Sequence, residues 1–148
     1  MYQRILIATD GSRLSRKAIA HGIALAKAVG AAVIGFHARP LPQLAYYGDS
    51  AIIIPPSTER LIEKQNVKAA EKHLAAIEAV ARKAGVTYKG VHIMNVSPSE
   101  AIIRTAKKER CDLIVMASHG RKGVSRLLLG SETNQVLTHS HVPVLVTR

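Results

Sequence analysis

Short, uninterrupted runs of apolar, largely β-branched residues recur along this chain, and most are followed by a turn and then by residues spaced for one face of a helix. The runs include Ile5-Leu6-Ile7-Ala8, Ala32-Val33-Ile34, Leu113-Ile114-Val115-Met116 and Val144-Leu145-Val146. They are too short for free-standing helices, and the lack of polar alternation means that both faces of the strand are covered, as in a parallel strand between helical layers. Such a chain has few options. Its crossovers must be right-handed and its sheet mostly parallel, with helices on both faces.

Turn and cap signals divide the chain further. Arg4–Thr9 forms the first strand and ends at Asp10-Gly11-Ser12, where Ser12 or Ser15 caps a helix that runs to Val29 and closes at Gly30. Ala32–Ala38 is the second strand. The loop 39–58, punctuated by Pro40, Pro42, Gly48, Pro55 and Pro56, is long for a silent connection, which marks it as a lid or binding surface. An amphipathic helix follows over 58–84, with Leu61, Val67, Ala70, Leu74, Ile77, Ala81 and Ala84 on one stripe. Thr87–Val96 alternates like a strand exposed on one side, at the sheet edge. Ser97-Pro98-Ser99-Glu100 opens a short helix with Ala101, Ile102, Thr105 and Ala106 inside. Glu132–His139 is the last helix, with Val136 and Leu137 turned inward, and Val144–Thr147 is the last strand.

Bulk properties exclude several classes. At 148 residues the chain is expected to be a single domain, 1–148, able to bury its own core. No apolar run is long enough for a membrane span, and Met1–Ile5 leads straight into a strand without a signal-peptide core, so a cytoplasmic, non-membrane protein is expected. Cys111 is the single cysteine, so no intrachain disulfide forms, and its place before a buried strand favours a structural role. His139 and His141 stand two apart and do not face each other on a helix end, which reads as surface rather than metal site. The formal net charge of +11 favours polyanionic partners, but Arg13, Arg16, Lys17 and Lys107, Lys108, Arg110 fall on helices, where a solvated face explains them. With aromatics at 3% and no Trp, stacking platforms for single-stranded nucleic acid are missing, so nucleic acid is a secondary expectation that the charge leaves open.

The stretch after Met116 carries the chemistry. A buried strand empties into Ala117-Ser118-His119-Gly120, a basic segment follows, and Gly130-Ser131 opens a helix. Glycines in such a loop permit positive φ and close approach to an anion, and amides at a helix start direct partial positive charge toward it. Neither G-x-x-x-x-G-K-[ST] nor G-x-G-x-x-G is present. Nine residues separate Gly120 from Gly130, and Ser131 follows. This arrangement resembles the ATP-binding signature of the universal stress protein family, G-x2-G-x9-G-[ST], with Ala117 where the family has its first glycine. Ala8-Thr9-Asp10-Gly11-Ser12 and Cys111-Asp112-Leu113-Ile114-Val115-Met116 are also similar to that family.

The resemblance implies an open five-stranded α/β sheet of order 3-2-1-4-5, a Rossmann-like adenine-nucleotide-binding fold. It places the ligand at the carboxyl ends of strands 1 and 4, the topological switch point. It also implies that Ala8, Thr9 and Asp10 meet the adenine and ribose end, and that Ala38, after His37, offers backbone contact to adenine. The backbone at Ala117, Ser118, His119, Gly120 and Arg121 would meet the phosphates, with Gly130, Ser131, Glu132 and Thr133 closing from the far side. Ser131 and Thr133 hydroxyls can donate to phosphate or hold a Mg²⁺ ion bridging its oxygens. Arg121, Lys122 and Arg126 add charge, and His119 is the one side chain there able to move a proton near neutral pH. The expected function is a stress-response or signalling module binding ATP, ADP or AMP. The alternatives are a slow Mg²⁺-dependent ATPase, for which Glu132 is the only acid near the phosphates, and a basic stress factor binding nucleic acid or protein without nucleotide. The family further implies a homodimer through the C-terminal strand 143–147.

Overall fold

The structure, a computed structural model, describes residues 1–41, 46–47, 50–51, 55–95, 97–120 and 129–148. The chain runs β1 (Arg4–Ala8), α1 (Arg13–Val29), β2 (Ala32–Arg39), β3 (Tyr46–Tyr47), β4 (Ser50–Ala51), α2 (Pro56–Ala84), β5 (Tyr88–Met94), α3 (Pro98–Lys108), β6 (Leu113–Ala117), α4 (Ser131–His139) and β7 (Val144–Thr147). Five strands form one parallel sheet in the order β5-β2-β1-β6-β7, which is 3-2-1-4-5 when only its own strands are counted. Registers such as Leu6↔Ile34 and Leu6↔Ile114 put β1 at the centre. Its side chains then alternate between two apolar layers. Ile5 and Ile7 join Leu113, Val115 and Ala117 under α1 and α2, whereas Leu6 and Ala8 join Ile114, Met116 and Phe36 under α3 and α4.

Local chemistry sets each helix boundary. The Ser12 side chain accepts from Ser15 N and starts α1, and Ser97 accepts from Glu100 N and starts α3. α1 and α2 end at Gly30 and Gly85, both left-handed. The Tyr88 ring crosses the flat surface left by two glycines, since a methyl on Gly35 would lie 2.7 Å from that ring and one on Gly90 3.0 Å from its hydroxyl. The hydroxyl donates to Leu74 O on α2, and burial pushes the phenol up to about 12. At the opposite layer Cys111 is buried and its thiol is pushed up to about 11 by that burial, consistent with a structural role.

Several boundaries and faces differ from expectation. β1 stops at Ala8, although Thr9 N still donates to Phe36 O. α2 begins at Pro56, so the loop 39–58 is shorter than expected; β3 and β4 pair antiparallel within it, and 42–45, 48–49 and 52–54 lie outside the described residues, as does Val96. On α2 only Ala70, Leu74, Ile77 and Ala81 of the stripe are buried, while Leu61 is exposed. The helix is about 44 Å long against about 26 Å for the eight residues of β2, so its first turns overhang the sheet. In α4, Val136 is buried but Leu137 is 40% exposed, because this nine-residue helix presents only a narrow face to the sheet. His139 and His141 are exposed, and among the described residues no group of three His, Cys, Asp or Glu side chains could hold a metal ion.

Candidate functional site

β1 and β6 are neighbours, the next described helices after them, α1 and α4, pack on opposite faces of the sheet, and a cavity of about 600 Å³ opens beyond the strands' carboxyl ends. That is within the usual range for a small-molecule site, roughly 300–1,000 Å³. One wall is apolar: Phe36 and Ala38 from β2, Met116 from β6, Ile102 from α3, with Pro40 and Pro98 at the rim. The other is polar and glycine-bearing: Thr9, Asp10 and Ser15 face His119, Gly120, Gly130 and Ser131. The nine-residue helix α4 directs its amino end here from Gly130, so its partial positive charge adds to the polar wall.

The β1–α1 turn is tightly bonded. Asp10 Oδ1 accepts from Ser12 N at 2.9 Å, and Thr9 Oγ1 donates to Ser15 Oγ and accepts from Gly11 N, both at 3.1 Å. Asp10 also reaches across the crevice, since a methyl on Gly120 would lie 2.9 Å from its Oδ2. Gly130 donates its N–H to Ser118 O at 2.8 Å, and a methyl there would stand 3.3 Å from that same oxygen. Neither Gly120 nor Gly130 has a positive φ, so the expectation of left-handed glycines in this loop is corrected. Close neighbours, not backbone conformation, favour glycine at these two positions.

Of the expected binding residues, Ala8, Thr9, Asp10, Ala38, Ala117, His119, Gly120, Gly130, Ser131, Glu132 and Thr133 line this single cavity. Ser118 is buried behind it, with its N–H donating to Thr147 O, and Arg121 lies outside the described residues, as do Lys122 and Arg126. Thr133 Oγ1 donates to Ala117 O at 2.9 Å, which ties α4 to the end of β6. Glu132 Oε2 accepts from Ser99 N at 2.8 Å, which ties α4 to the amino end of α3. His119 Nδ1 meets Ser118 Oγ at 3.0 Å, and its Nε2 is buried with no hydrogen-bond partner among the described residues. A ligand carrying hydroxyl or phosphate oxygens suits that orphaned nitrogen and the tight glycine walls, so the residues present fit a nucleotide. A divalent ion would depend on the ligand's own oxygens together with Ser131, Asp10 or Glu132.

The sequence profile of the Universal stress protein family matches residues 1–148. The chain belongs to the universal stress protein family. A universal stress protein of Thermus aquaticus is 35% identical over 149 residues, covering all of both chains. One of Methanocaldococcus jannaschii is 32% identical over 151 residues, covering all of this chain and 83% of the relative. Among solved structures, a universal stress protein in complex with cAMP has a TM-score of 0.73 at 24% identity, covering 99% of this chain and 97% of that one. The fold is also that of the Archaeoglobus fulgidus protein in complex with dAMP, with a TM-score of 0.70 at 19% identity and coverage of 99% and 98%. An Arabidopsis thaliana protein of the family with AMP bound has a TM-score of 0.68 at 15% identity, with coverage of 97% and 90%.

Sequence reasoning did not find the rest of the cavity lining, Ser15, Phe36, Pro40, Pro98, Ile102 and Met116, and it did not include His37 among the binding residues. Phe36, Ile102 and Met116 are at most 6% exposed, so their patterns are those of core residues. His37 is 9% exposed and bonded to Thr9 O at 2.8 Å, and it lines the cavity as well. Its signal was present, in a polar residue closing an otherwise apolar strand.

Proposed function

We propose that this universal stress protein, acting as one domain over 1–148 in the cytoplasm, binds an adenine nucleotide in the crevice beyond β1 and β6 and serves as a stress-response or signalling module. The observation that carries this is the approach of Asp10 Oδ2 to Gly120 across a cavity whose far side is Gly130 and the amino end of α4. Phe36, Ile102 and Met116 offer the base an apolar slot, and the Ala38 backbone is near enough to read a purine edge. The His119–Gly120 segment, Gly130 and Ser131 receive the phosphates. The fold neighbours that hold cAMP, dAMP and AMP support an adenine ligand, and the Gly120-x9-Gly130-Ser131 spacing favours ATP. Binding rather than turnover is the better reading, because one oxygen of Glu132 is held by Ser99 N and one of Asp10 by Ser12 N, which gives both carboxylates a structural task.

Isothermal titration of the parent and of Gly130→Asp with ATP, ADP and AMP, each with and without Mg²⁺, tests this. The parent should bind at one site per chain, and Gly130→Asp should lose at least about 100-fold in affinity, because its carboxylate enters where the phosphates approach and its Cβ crowds Ser118 O. Equal affinity in the two proteins would sink the site assignment.

The same proposal includes a homodimer through strand 143–147. β7 is a sheet edge with one side unpaired, and Leu145 on it is 38% exposed. Sedimentation at micromolar concentration should give twice the chain mass for the parent and a shift toward monomer for Leu145→Lys. A monomeric parent refutes it.

A further inference from the structure

The turn that carries Asp10 is held from outside the crevice as well as from within. Gly11 has φ +79°, a left-handed conformation that favours glycine, and a methyl built on it would lie 2.1 Å from His73 Cε1 and 2.4 Å from His73 Nδ1. The His73 imidazole, from the middle of α2, therefore rests directly on the Gly11 backbone. The same ring packs on His37, with centroids 4.9 Å apart and planes tilted by 50°. His37 Nδ1 is 2.8 Å from Thr9 O, and because a carbonyl only accepts, Nδ1 carries the proton. Three consecutive residues are thus set from β2, from α2 and from within the turn: the Thr9 carbonyl by His37, Gly11 by His73, and Asp10 by the amide of Ser12.

We propose that His73 and His37 are positioning residues of the nucleotide site, the first fixing the height of the Asp10–Gly11–Ser12 turn and the second the direction of the Thr9 carbonyl, so that Asp10 meets the ligand preorganised. This rests on the adenine-nucleotide reading of the cavity. Asp10 Oδ2 stands close to Gly120, 2.9 Å from where a Cβ there would lie, so a turn that rises brings the carboxylate nearer the Gly120 backbone, and one that sinks withdraws it. A site held between those positions does not have to order itself on binding. The ring also makes the longest helix of the chain, with its overhanging first turns, a direct neighbour of the ligand-facing turn. Occupancy of the crevice is transmitted to α2 through one imidazole.

The test is nucleotide titration of His73→Ala and His73→Phe beside the parent, with melting curves for all three. His73→Ala should lose about tenfold in affinity, while His73→Phe, which restores a flat ring against Gly11, should stay within about threefold of the parent. Saturating the parent with AMP should also shift the ring signals of His73, which does not itself line the cavity, in histidine-detected NMR; a residue with a purely structural role would not show this. A His73→Ala protein that melts like the parent and binds like it overturns the positioning role while leaving the nucleotide site in place. If His73→Ala does not fold, His73 ring signals in the parent that stay fixed at saturation overturn the proposal. A parent that binds no adenine nucleotide removes the nucleotide reading itself, and this inference with it.

Discussion

Asp10 and Asp112 lie at opposite ends of adjacent strands, and the contrast between them shows how the two ends of this sheet differ in what they can offer a ligand. Asp112 precedes β6, and its two oxygens accept from Gln3 N at 2.7 Å and Arg4 N at 3.0 Å, which staples the start of β1 to the start of β6. Around it Arg4 reaches Glu109 O, and Lys89 pairs with Glu109. Helices arrive at this end with the negative ends of their dipoles, and the carboxylate is consumed by strand-start amides. Asp10 follows β1, where helices depart and their amino ends point outward. Its Oδ1 takes the Ser12 amide, while Oδ2 faces the Gly120 backbone across a cavity. The same side chain closes the fold at one end and flanks an opening at the other, because the backbone around it has opposite polarity.

Paired substitutions break this comparison most directly. Asp10→Ala should weaken adenine-nucleotide binding at least about tenfold, roughly the worth of one charge-assisted hydrogen bond, with urea stability changed by less than about 1 kcal/mol. Asp112→Ala should do the reverse: stability falls by about 1–2 kcal/mol, moderated because the carboxylate is partly exposed, and affinity stays within about twofold. Calorimetry and urea unfolding on both variants decide it. Should Asp112→Ala lose affinity as strongly as Asp10→Ala, the two ends are not functionally distinct.

The sheet itself was legible because continuous apolar runs such as Leu113–Met116 leave no alternative to a doubly covered strand, and β5 was placed at the edge by its alternation. The strand order and the roles expected of Asp10 and Ala38 came from family resemblance, since no local pattern tells which strand is central. Leu61 and Leu137 misled for one reason: periodicity identifies a helix face but not how far the sheet extends beneath it. The apolar wall of the cavity stayed hidden because Phe36 and Met116 serve as core and wall at once. The His37–His73 contact joins residues 36 apart in sequence with no shared period, and only the folded backbone brings them together.

Ala117 tests the comparison at its finest, because it stands at the end of the sheet that opens on the cavity, where the resemblance drawn from the sequence expects glycine. Its backbone belongs to the crevice, with the carbonyl accepting from Thr133 Oγ1. Its methyl belongs elsewhere. Strand alternation groups it with Ile5, Ile7, Val115 and Ile19 beneath α1, and the residue is only 8% exposed. By side chain, then, it is a core residue like those of the closed end. Ala117→Gly should therefore leave nucleotide affinity within about twofold of the parent, well under 1 kcal/mol, while urea unfolding shows a loss of about 0.5–1 kcal/mol from the added chain entropy and the missing methyl. A tenfold gain in affinity with unchanged stability would mean that the methyl competes with the phosphates, and that the alanine tunes this crevice toward weaker binding.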